Sequence, residues 1–166
     1  MKHQRHSIRL KDYDYSQPNI YFVTICAHGQ RSPFGKISGE KVVLNEMGKI
    51  VDSHWANIPA HYANVSLDEY IIMLDHLHGL IIVSEINAGA MNGAPTAKSL
   101  ANIISCFKAG VTRELGKSRL IVRYPIWQRI YYEHVVRSQD ELNEIRQYIR
   151  NNPLARALKT ENLKLE

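Results

Sequence analysis

VSLDEYIIMLDHLHGLIIV, residues 65–83, decides the reading of the fold. Two runs rich in Val, Ile, Leu and Tyr flank a break around Asp75. Each run has strand length and the break leaves room only for a turn, so Val65–Leu74 and Leu77–Val83 are predicted to form a β-hairpin. After His78 both faces of the second run are apolar, which predicts a central, buried strand. Upstream, IYFVTICAH (20–28) is β-branched and aromatic and reads as a strand. A turn follows over 30–35, with Pro33 and Gly35, then a second strand over 36–44 interrupted by Gly39. Asn45 offers an N-cap to a helix whose apolar positions Met47, Ile50, Val51, Trp55 and Ile58 recur at helical spacing, and Pro59 is expected to end it. Downstream, Leu100, Ile103, Ile104, Phe107 and Val111 form one stripe of an amphipathic helix over 98–115, with Gly116 as its C-cap. A short strand is expected over 131–136. Ser138 opens a last helix with Asp140 and Glu141 in its first turn, where the helix dipole favours them. Pro153 is expected to end that helix near Asn152.

The resulting order, ββαββαβα, is α+β: a ferredoxin-like or RRM-like antiparallel sheet with helices mainly on one face. INAGAMNGAPTA (86–97), dominated by small residues, Gly and Pro, reads as a flexible loop within a single domain spanning 1–166, because neither flank is long enough to fold alone. A length of 166 residues, 45% hydrophobic and 22% charged, is ordinary globular composition and argues against wholesale disorder. The formal charge of +5 suits a polyanionic partner. Cys26 and Cys106 are too few for a disulfide scaffold or a cysteine-type zinc site; read as reduced thiols, they point to the cytoplasm. The basic, polar N-terminus lacks the apolar core of a signal peptide, and no apolar run approaches the ~20 residues that span a bilayer, so no membrane partner is expected.

Three features bear chemistry. In His76-Leu77-His78 a strand would project both imidazoles from one face and Leu77 from the other. Paired neutral imidazoles suit a divalent metal, including Mg²⁺ or Mn²⁺ if oxygen ligands complete the shell. With eight histidines in the chain, such a pair also arises by chance. On the last helix, Tyr148 and Asn152 stand four residues apart, so a phenol and a carboxamide share one face. The plain alternatives are a tyrosine at the rim of the core and an asparagine that stops the helix. Finally, Arg5, Arg9 and Lys11, with Arg123, Trp127, Gln128, Arg129, Tyr131 and Tyr132, combine cations for phosphates with aromatic faces for unpaired bases. Trp127 and the tyrosines fit core or edge-strand packing equally well.

Five segments together resemble one family, the REP-associated tyrosine transposases of the HUH single-strand nuclease class. They are RHSIRLKDYDYSQPNIYFVTIC (5–26), LNEMGKIV (44–51), LDEYIIMLDHLHGLIIV (67–83), SLANIISCFKAGVTREL (99–115) and IWQRIYYEHVVRSQDELNEIRQYIRNNP (126–153). The His-hydrophobic-His pair followed by Tyr-Ile-x-x-Asn-Pro on a late helix is specific in combination, not by halves. One departure lies at Met73-Leu74-Asp75-His76, where family members read Met-Pro-Asn-His; the proline is lost and a carboxylate stands beside the first histidine.

The resemblance implies that His76 and His78 ligate one divalent metal, Mg²⁺ or Mn²⁺, with Asn152 as a third, helix-borne ligand and Tyr148 as the nucleophile. It implies single-stranded or hairpin DNA as the substrate, a covalent 5′-phosphotyrosine intermediate, and either a monomer or a homodimer. Tyr131 and Tyr132 are the rival nucleophiles. Two other functions compete. A non-catalytic single-stranded nucleic-acid-binding module of RRM-like fold would have no need of the histidines and tyrosine. A metal-dependent phosphodiesterase using water would need the histidines but not the Tyr148 hydroxyl.

Overall fold

In the computed structural model the described residues are 14–15, 17–29, 32–85, 99–118 and 125–162, with side chains as far as 155. Arg5, Arg9, Lys11, Arg123 and the 86–97 loop lie outside them. The elements are β1 (Asn19–Cys26), β2 (Gly35–Ser38), β3 (Lys41–Leu44), α1 (Glu46–Ala56), α2 (Ile58–His61), β4 (Val65–Ile72), β5 (His76–Val83), α3 (Leu100–Lys117), β6 (Tyr132–Val136) and α4 (Gln139–Asn162). Four strands make an antiparallel sheet in the order β4-β5-β1-β6. With β2 and β3 set aside as a separate hairpin, the chain follows the βαββαβ split pattern and adds α4. The expected α+β class, the 65–83 hairpin and the interior position of β5 all hold.

Alternation along β1 and β5 sorts the core into two layers. Tyr21, Val23, Ile25, Leu77, Ile81 and Val83 pack against Val51 and Trp55 of α1 and the apolar stripe of α3. Burying each of these larger side chains stabilises the fold by roughly 1.5–3 kcal/mol. Gly79 lies on this face, and a Cβ there would run into the Trp55 ring. On the opposite face Leu80, Phe22, Ile20, Ile71 and Val136 meet Leu142, Ile145 and Ile149 of α4. Three helices therefore cover one face, and α4 alone lies across the other.

Several element boundaries differ from expectation. The expected second strand is a tight hairpin, β2–β3, because Gly39 takes φ +60° and reverses the chain; the order is thus βββααββαβα rather than ββαββαβα. Asn45 caps α1 as expected, its side chain accepting from the Gly48 N–H at 2.9 Å. That helix stops at Ala56, and Pro59 sits in the first turn of α2, where a missing N–H costs nothing. Gly116 does not end α3, which runs to Lys117 and is followed by Ser118, whose N–H closes on the Glu114 carbonyl. Pro153 lies inside α4 instead of ending it. The residues that follow, LARALK (154–159), have high helix propensity and carry the helix on to Asn162.

Candidate active site

His76 and His78 open β5 and both point to the α4 face, with Leu77 buried in the main core behind them. Their rings stand 4.6 Å apart, centroid to centroid. Each ring is held through Nδ1. His76 Nδ1 meets the Asp75 carboxylate at 2.7 Å. A carboxylate only accepts, so Nδ1 carries the proton and the neutral ring keeps its lone pair on Nε2. His78 Nδ1 meets Thr24 Oγ1 at 2.8 Å, across the register pair that joins β1 to β5. Phe22 stacks on the His78 ring at 5.6 Å. Burial, with the nearby His76 as the second cause, pushes the His78 pKa down to about 3. His78 is therefore neutral at physiological pH and able to act as a ligand or acceptor.

Tyr148 reaches this pair from α4. Its hydroxyl lies 3.3 Å from His78 Nε2, its ring stands edge-on to Phe22 and His78, and it is half exposed at 52%. Asn152 follows one turn later, about 6 Å along the axis, still helical because α4 continues through Pro153. Two ion pairs tie this helix to its own sheet. Arg146 grips Asp68 through Nε at 3.1 Å and a second nitrogen at 2.5 Å, and Arg150 meets Glu69 through Nε at 3.0 Å. Both acids sit at the register shift between Leu67 and Tyr70 of β4. The arginines bracket Tyr148 without sharing its face. Arg146 also holds the Asp68 carboxyl below the usual carboxylate range.

The donor set accommodates a divalent ion in part. Among the described residues no three His, Cys, Asp or Glu side chains cluster as a metal site. A metal would have to rest on the Nε2 atoms of the two histidines, with an amide oxygen such as that of Asn152. Both imidazoles already have the oxygen partner on Nδ1 that metal-bound histidines use to fix their tautomer. On that ground the residues fit the ion.

The remaining expected residues divide. Gln128 and Arg129 are exposed. Trp127 is corrected: at 9% exposure it packs between Phe34 and Phe107 and donates its indole N–H to the Lys108 carbonyl, so neither ring face is open to a base. Of the rival tyrosines, Tyr131 packs on the main core. Tyr132 shares the site's face but stands across Thr24 from His78, two strand spacings or about 10 Å away. Thr24, Phe22 and the Arg146–Asp68 pair were not expected. Thr24 was hidden because a sequence shows which face a strand residue takes but not what stands opposite it.

No protein-family profile matches the chain. It is 38% identical over 163 positions to an uncharacterised protein of Haemophilus influenzae, covering 92% of this chain and 89% of that one. The chain belongs to that protein's family. Among solved structures, a REP-associated tyrosine transposase bound to a REP hairpin aligns with TM-score 0.63 at 16% identity, covering 89% of this chain and 73% of that one. A transposase-like protein from Deinococcus radiodurans aligns with TM-score 0.51, also at 16% identity, over 86% and 95% of the two chains. The fold is therefore that of a REP-associated tyrosine transposase. No helix among the described residues is long and apolar enough to cross a membrane.

Proposed function

We propose that this protein is a tyrosine transposase that cuts and rejoins single-stranded DNA next to a hairpin, with Tyr148 as nucleophile. The observation that carries the reading is the Tyr148 hydroxyl at 3.3 Å from His78 Nε2, beside a second imidazole on the same face of the sheet, beneath α4. A pure binding sheet would not need two imidazoles with braced Nδ1 atoms. Likeness of fold to a transposase solved with a REP hairpin supports DNA of that kind as substrate.

In this reading the Tyr148 oxygen attacks phosphorus. The phenolic oxygen gives up its proton and bonds to phosphorus, the bond from phosphorus to the 3′-oxygen breaks, and the leaving oxygen takes up one proton to become a free 3′-OH, so the step is proton-neutral overall. The phosphotyrosine keeps the phosphoryl bond activated, so a second 3′-OH can reverse the step and join strands. His76, His78 and Asn152 would hold a divalent ion, Mg²⁺ or Mn²⁺, which when bound neutralises charge on the phosphate. Thr24 and Asp75 keep the two rings oriented. The Arg146 and Arg150 pairs hold Tyr148 over the histidines of its own chain, an arrangement compatible with action as a monomer.

The test is a labelled DNA hairpin with single-stranded tails, incubated with Mn²⁺ or EDTA and resolved on denaturing gels. Wild type should give a protein–DNA adduct only with Mn²⁺, and Tyr148→Phe and His76→Ala should give none. Cleavage that survives Tyr148→Phe would instead assign water as nucleophile. Binding without cleavage under every metal would make the protein a binding module.

A further inference from the structure

We infer that an open groove between α3 and the chain just before β6 grips the backbone of the single-stranded DNA flanking the Tyr148 site. The inference rests on the transposase reading above and adds where the strand runs. The groove, of about 560 Å³, is lined by Lys108, Thr112, Arg113, Gln128 and Arg129 over the edge of Trp127.

Its shape follows from a bulge. Trp127 bridges to Ala27 and Tyr132 pairs with Thr24, so residues 128–131 stand opposite only Ile25 and Cys26 of β1. The excess residues must leave the sheet plane, and bulges of this kind re-aim side chains at sheet rims. Lys108 pins the bulge, donating from Nζ to the Gln128 carbonyl at 2.9 Å and lying 5.5 Å from the Tyr131 ring centre. Gln128, Arg129 and Ile130 are left exposed. Arg113 and Arg129 have no ion-pair partner among the described residues, so both charges are available to phosphates.

The groove lies on the α3 side of the sheet and the histidines on the α4 side, and the two come together at the end of β1. The Gln128 N–H donates to the Cys26 carbonyl at 3.0 Å, and Cys26 is the register partner of His76. The backbone of Cys26 thus lies between the Gln128 end of the groove and the His76 backbone, and a strand leaving the groove would round this end of the sheet to reach the histidines. Ile130 and Tyr132, next along the chain, are exposed at 53% and 41%. Cations tracking a backbone beside open apolar and aromatic faces suit unpaired bases; a paired stem would hide its base faces.

The experiment measures DNA binding in EDTA by Tyr148→Phe protein, which separates binding from chemistry. Three probes are used: a tailed hairpin, a blunt hairpin and the tail alone. Arg113→Gln and Arg129→Gln should each lower the slope of log affinity against log salt by about 0.7 on the tailed probe and the tail, as loss of one single-strand phosphate contact does. The blunt hairpin should be unaffected. Lys41→Gln, an exposed cation on the separate β2–β3 hairpin, should leave all slopes unchanged. Unchanged slopes for the arginine variants, or equal losses on the blunt hairpin or from Lys41→Gln, would overturn the inference. If the expected slopes appear but wild type forms no adduct with Mn²⁺, the groove stands and the catalytic reading falls.

Discussion

Replacing Thr24 by Val removes one hydrogen bond and almost no volume, and it should loosen His78. The Thr24 hydroxyl is 2.8 Å from His78 Nδ1, and the ring is 6% exposed. Water has little access to replace the lost partner, so a buried polar nitrogen is left unpaired. That costs about 1–3 kcal/mol. At this chain length each kcal/mol moves the melting temperature by roughly 2–4 °C, so Tm should fall by roughly 2–12 °C. Valine keeps the β-branched shape that suits a central strand, so β propensity is not what changes. If the imidazole also serves a metal, loss of the group that orients it should weaken Mn²⁺ binding about 10–100-fold. Thermal melts and calorimetric Mn²⁺ titrations of Thr24→Val beside wild type read both effects. A lower Tm with unchanged Mn²⁺ affinity would make the bond purely structural. An unchanged Tm together with unchanged Mn²⁺ affinity would refute the reasoning.

Acid should destabilise the fold through the same ring. His78 has a folded pKa near 3, against about 6.5 when unfolded. The unfolded chain therefore binds the extra proton, and stability is complete above about pH 6.5 and lost as pH falls toward 3, by up to about 1.4 kcal/mol per unit. Urea denaturation at stepped pH should show that slope in wild type and its loss in His78→Gln. Asp68→Asn removes the charge that Arg146 grips while keeping the shape. Amide exchange in α4 around Tyr148 should quicken and adduct yield should drop, with Mn²⁺ affinity retained; unaltered exchange would count against the ion pair as a positioning device. Gly79→Ala pushes a methyl into Trp55 and should cost about 1–3 kcal/mol by overpacking, read as a lower urea midpoint.

The resemblance to REP-associated tyrosine transposases was legible in the sequence through the His-x-His pair and the late Tyr-Ile-x-x-Asn-Pro, and the fold bears it out. Trp127 misled because an indole among cations has the same composition whether it faces DNA or the core. Only its neighbours Phe34 and Phe107, one from before β2 and one from α3, decide that it points inward. Pro153 misled because a local rule about the residue before proline was outweighed by the helix-forming run that follows.

What the sequence by itself determined are the features with a short period. The 65–83 hairpin, the shared face of His76 and His78, the stripes of α1 and α3, and the alignment of Tyr148 with Asn152 all follow from repeats of two or 3.6 residues. Tertiary structure alone decided which partner stands across each strand and which face receives the last helix. Thr24 meets His78 because the β1–β5 register is set by packing between segments more than fifty residues apart. Tyr148 meets His78 because α1, α2 and α3 occupy one face of the sheet, leaving the apolar side chains of the other to be buried by α4.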